Sequence, residues 1–144
     1  MINPMELKLG NYAALQRADK TGIDLFQITS IIADDNAGSF RIYGTGYTHI
    51  GKEYDTDFRL LIAARLNDET FKKMGFIIDG IEIFPINKPN IKIKKQSDSA
   101  SYAMFNKEGV CIKANIVYLH NFQNLWSEIT GEYLELANDQ IVKK

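Results

Sequence analysis

The sequence predicts an α+β protein: an antiparallel β meander with two helices packed on it, in a single domain over residues 1–144. Three observations predict it. Runs rich in β-branched and aromatic residues recur between turns that contain glycine and aspartate. A short capped segment interrupts them at residues 67–75. A longer segment, at 118–130, carries apolar residues at helical spacing.

"NYAALQ", from Asn11, is the first and weakest strand candidate. "LFQITSIIA", residues 25–33, is a stronger one, and "DDNAGS" turns the chain back with Gly38 free to take a positive φ. Residues 40–43 return as the second arm of the hairpin, with Phe40 and Ile42 on one side and Arg41 and Tyr43 on the other. "DFRLLIAA", from Asp57, reads as a further strand, although Leu and Ala also favour helix.

In "LNDETFKKMGF", Asn67 or Asp68 caps a short helix. Asp68 and Glu69 suit its positive end, Lys72 and Lys73 its negative end, and Gly75 stops it. Phe71 and Met74 supply its buried side. Asp79-Gly80 is a dipeptide of two-residue hairpin turns. "INKPNIKIKKQ" sets Pro85 and Pro89 near Lys88, Lys92, Lys94 and Lys95, a combination that suits an edge strand. "NKEG" joins strands at 102–105 and 110–116, the second placing Val110, Ile112, Ala114 and Ile116 on one face and Cys111, Lys113 and Asn115 on the other.

Wound at 3.6 residues per turn, residues 118–130 align Tyr118, Leu119, Phe122, Leu125, Trp126 and Ile129. Burial of such side chains is worth roughly 1.5–3 kcal/mol each. Gly131 stands where a helix ends, and the polar tail from about residue 138 is expected to fray. The opposite side lines up His120, Asn124 and Ser127, flanked by Asn121, Gln123 and Glu128. A solvated face is usually written with Lys, Glu and Arg. Amides carry donors and acceptors together and suit fixed polar contacts. An ordinary solvent face and a docking surface built on His120, Gln123, Asn124 and Ser127 are both open.

"YLHNFQNLWSEITGEYLEL" resembles the C-terminal block of uncharacterised small proteins of Bacteroidetes phages and integrated mobile elements. His120, Gln123-Asn124-Leu125, Trp126 and Thr130-Gly131-Glu132 carry the resemblance. "MELKLGNY" and "LNDETFKKMGF" agree in order, and the lysine-rich centre has no counterpart. The resemblance implies a phage or prophage setting, and with it a non-enzymatic accessory role binding a host protein or the chain's own copies. It transfers no catalytic residue.

Composition narrows the classes. Apolar residues at 45% and charged ones at 24% describe an ordinary folded chain. Its 17 basic and 18 acidic residues provide no global field toward nucleic acid or a membrane, so neither partner is expected. Residues 1–10 lack a signal-peptide pattern, and no apolar run approaches a bilayer span. A cytoplasmic protein of the host cell is expected, with no cofactor.

Three chemistries are conceivable from the residue types present. His49, Glu53, Asp55 and Asp57 in "HIGKEYDTD" offer metal-type ligands for a hydrolase, without any recognised metal motif. Cys111 with His49 or His120 lacks any nucleophile signature. Gly44-Thr45-Gly46 fails the phosphate-loop patterns and suits a bulge or strand end. Lys92 and Lys94, with Arg41, Tyr43 and Tyr47, could cradle phosphates and stack bases, the reading of a nucleotide-signal sponge. The same lysines also suit an edge guarded against aggregation.

Overall fold

The computed structural model describes residues 6–17, 22–34, 39–86, 90–96 and 101–137. Gly38, Lys88, Pro89 and the tail from 138 lie outside the described residues. The chain divides into two compact units, Met1–Ala64 with Leu119–Tyr133, and Arg65–Tyr118 with Leu134–Lys144. The α+β class holds, but the strands form two antiparallel sheets rather than one meander.

The first unit holds β1 (Tyr12–Gln16), β2 (Ile23–Asp34), β3 (Ser39–Gly46) and β4 (Glu53–Asp57), paired in that order. Alternation along β2 and β3 sends Phe26, Ile28 and Ile42 into a core with Leu7, Ala13, Tyr54 and Leu61, and Phe40 packs against it. The Phe26 and Tyr54 rings stack at 4.9 Å. Gly44 makes room for them, since a Cβ there would lie 2.3 Å from the Phe26 ring and 2.5 Å from the Gln27 carbonyl. The register slips between Ile28 and Ser30, opposite Gly44 and Tyr43, so this glycine sits at a bulge as its sequence context suggests.

The strand expected from Asp57 does not form. The Asp57 carboxylate accepts the Arg59 backbone N–H at 2.8 Å and starts a 3₁₀ turn, Phe58–Leu60. Past this turn Ile62 bridges back to Ala14.

The second unit holds α1 (Asp68–Lys73) and the sheet β5 (Phe76–Asp79), β6 (Glu82–Pro85), β7 (Ile91–Lys95), β8 (Tyr102–Asn106) and β9 (Cys111–Ile116). Asn67 and Thr70 form a reciprocal capping box at the start of α1, and Gly75 follows its end at φ +91°. Phe71 packs edge-on against Phe76 and Tyr102. The hairpin after β5 turns on Gly80 and Ile81, one residue later than the Asp-Gly dipeptide implies.

Two expectations fail in this sheet. β7 is its third strand of five, not an edge. β5 and β9 are the edges, and on β9 and the turn before it Val110 and Ile112 are exposed while Ile116 is buried. Register shifts on β8 beside Met104, and a positive φ at Asn115, break the two-residue alternation assumed for residues 110–116.

The second helix, α2 (Leu119–Thr130), belongs to the first unit, and Gly131 closes it with φ +75°. No helix among the described residues is long and apolar enough to cross a membrane.

Candidate functional site

The line of polar residues on α2 is not a free surface. Leu119, Phe122 and Trp126 are buried as expected, whereas Tyr118 and Ile129 are largely exposed. The buried arc is turned toward His120, Gln123 and Asn124, which are 1%, 0% and 8% exposed. Ser127 is half-buried beside them.

Their contacts explain the amides. Gln123 accepts the Tyr12 backbone N–H at 3.0 Å and donates to the Gly10 carbonyl at 3.1 Å. Asn124 donates to the Glu6 carbonyl at 2.6 Å and accepts from the Asn11 amide at 2.9 Å. Asn11 is itself fully buried. An amide satisfies a carbonyl and an N–H with one side chain, and the Gly10 carbonyl also accepts from the Gln27 amide at 3.2 Å. Residues 6–12 and 123–124 therefore hold each other.

His120 Nε2 lies 3.4 Å from the Glu6 carboxylate. Burial holds its imidazole below the ordinary histidine pKa, and Glu6 opposes that shift.

Arg41, Tyr43 and Tyr47 lie in the first unit, and Lys92 and Lys94 in the second, so no single unit assembles the predicted phosphate cradle. Arg41 is engaged by Asp55. Tyr43 is half-buried, and Tyr47 packs edge-on against Tyr12 at 5.8 Å.

Two of the acids near His49, Asp55 and Asp57, have separate partners, Asp55 being held by Arg41. Asp57 binds Ser39 and Arg59, and the Arg59 guanidinium holds its carboxyl well below the usual range. His49 Nε2 instead meets Asp24 at 3.3 Å, a residue that the sequence did not single out. Arg17 donates to Asp24 at 2.7 Å and holds its carboxyl low against the opposing cost of burial. Tyr54 stands over this group, its hydroxyl pKa raised by burial and then by the Asp24 charge. Among the described residues no three His, Cys, Asp or Glu side chains group closely enough to hold a metal ion. Cys111 is exposed on β9.

The second sheet offers a concave site lined by lysines, an aromatic ring and asparagines. On β7, Ile91 and Ile93 are buried and Lys92 and Lys94 point to the other face. Lys95 turns away and binds Asp68 at 2.7 Å. Lys92 meets Glu82 at 3.0 Å, with its ammonium 5.4 Å from the Phe84 ring centre. Lys94 lies 5.4 Å over the Phe105 ring and has no acidic partner among the described residues. A groove of about 270 Å³ opens here, lined by Asn90, Lys92, Lys94, Phe105, Asn106 and Lys107 among others.

Sequence reasoning found Lys92 and Lys94 but missed Phe105, Lys107 and the two asparagines. A signal existed. In "YAMF", the buried Met104 fixes the strand's parity and puts the neighbouring Phe105 on the opposite face, where an aromatic is unusual without a partner.

Compared with known proteins, the chain matches no family model, no curated protein and no solved structure.

Proposed function

We propose that this protein binds a phosphorylated, nucleotide-type ligand without cleaving it, through the groove lined by Lys94, Phe105, Asn106 and Lys107. The observation that carries the reading is the pair Lys94 and Lys107, which have no acidic partner among the described residues and line the groove together with the Phe105 ring. Two ammonium groups suit a phosphate, the ring suits a base, and the asparagines supply donors and acceptors at its edge. At about 270 Å³ the groove lies just below the usual size of small-ligand pockets, so it suits one base or phosphoryl group at a time. The resemblance supports a phage or mobile-element setting in the cytoplasm of a host, where sequestering a signal or blocking a host component are both binding roles.

A thermal-unfolding panel of nucleoside mono-, di- and cyclic phosphates tests the reading. A ligand at 100 times its Kd adds about 2.7 kcal/mol to the folded state. Lys94→Gln with Lys107→Gln should remove the shift and leave the unliganded melting temperature nearly unchanged. A panel in which no nucleotide moves the transition overturns the proposal.

A further inference from the structure

The groove is one end of a longer polar and aromatic row on the same sheet face. Ile77 on β5 stands opposite Phe84 on β6, Lys92 on β7 opposite Phe105 on β8, and Phe105 opposite Cys111 on β9. The Ile83–Ile93 pairing puts Lys92 between the two phenylalanines, consistent with its ammonium lying over the Phe84 ring. Strands in a sheet are about 4.8 Å apart, so the two rings are separated by roughly 10 Å with a cation between them. Phe84 and Phe105 are both half-buried, and Ile77 at the end of the row is 55% exposed. The reverse face of these strands is filled by Phe76, Ile83, Ile93 and Met104, so this face is the sheet's open one.

Resting on the ligand reading above, we infer that the natural ligand is a single-stranded nucleic acid laid across this face. One base stacks on Phe105 and another on Phe84, and the intervening backbone passes over Lys92 and Lys94. Base stacking on aromatic side chains combined with a line of cations is the general chemistry of single-strand binding. In the free protein Lys92, paired with Glu82, and Lys94 lie over the two rings; on binding, Lys94 moves to a phosphate and Lys92 exchanges Glu82 for one, each uncovering a π face for a base. A free mononucleotide would use only the groove at Phe105 and leave Phe84 idle. The balanced total charge is no obstacle, because the attraction is local to this face and screened beyond about 10 Å at 0.1 M salt.

Fluorescence anisotropy with labelled eight-nucleotide DNA and RNA strands, beside labelled AMP and GMP, tests the inference. The strands should bind at least tenfold more tightly than either mononucleotide. Raising the salt from 50 to 200 mM should weaken strand binding about 20-fold if three phosphates are neutralised. Phe84→Leu should weaken strand binding on the order of tenfold and leave mononucleotide binding unchanged, while Phe105→Leu should weaken both. Leucine keeps each position apolar, and melting curves establish that both variants are folded. Equal affinity for strand and mononucleotide, or a folded Phe84→Leu protein with unchanged strand binding, overturns the inference and leaves the smaller-ligand reading standing. Binding of neither overturns both.

Discussion

Asn124 is the side chain on which the entry of the chain into its first strand depends. Removing its amide leaves the buried Asn11 amide, and the part-buried Glu6 carbonyl, without that partner. An unsatisfied buried polar group costs about 1–3 kcal/mol. Asn124→Ala should therefore lower stability to chemical denaturation by that amount while leaving nucleotide binding unchanged. A neutral effect on stability would show that the amide faces water. Gly44 is constrained in the opposite sense, by crowding. Gly44→Ala forces a methyl against the Phe26 ring and the Gln27 carbonyl, and should cost about 1–3 kcal/mol in the same assay. His120 makes the fold sensitive to acid. Its pKa is lowered in the folded state by burial, so the unfolded chain binds the proton more readily. Its contribution is fully present above the unfolded value, about pH 6.5, and is lost as pH falls through the folded one. A melting temperature that declines below pH 6.5, with a shallower decline in His120→Gln, is the expected profile.

The elements divide by how locally they are determined. α1 was legible because its signals are consecutive: a capping asparagine, acids, lysines and a glycine with positive φ. Asn67→Ala should cost about 1 kcal/mol, measured by thermal unfolding, because it removes the acceptor for the Thr70 N–H. β2 and β3 were legible from alternation. α2 was legible as a helix, but the orientation of its buried arc was not, because a helical wheel weighs only hydrophobicity. Gln123 is fully buried for its hydrogen bonds to Tyr12 and Gly10, and no period in 118–130 reveals that residues 10–12 need them. The lysines of β7 misled in a related way. Lysine alternating with isoleucine signals one open face, which an edge strand and a central strand of a half-covered sheet both possess. The candidate groove stayed hidden because its wall, Phe105, is brought beside Lys92 by pairing across strands.

At the scale of the whole chain, both units are discontinuous: residues 65–118 of the second interrupt the first between Ala64 and Leu119, and Leu134–Lys144 rejoin the second after the first has ended at Tyr133. Leu119 N–H donates to the Ala64 carbonyl at 2.7 Å, so the two ends of the interruption already meet within the first unit. Closing a short loop there costs little chain entropy, since that cost grows only slowly with length. The first unit also owns its core, its sheet and the helix that latches residues 6–12. Replacing residues 65–118 by a four-residue glycine–serine linker, and ending the chain at Tyr133, should thus yield a protein that folds alone and unfolds cooperatively. Its amide spectrum should place Tyr12 and Asn11 among the slowly exchanging groups, because α2 still covers them. It should also bind no nucleotide, since Lys94, Phe105 and Lys107 leave with the insertion. A disordered product would mean that the first unit cannot stand without the second. A folded product that still binds nucleotide would move the ligand site off the lysine face and onto the first sheet.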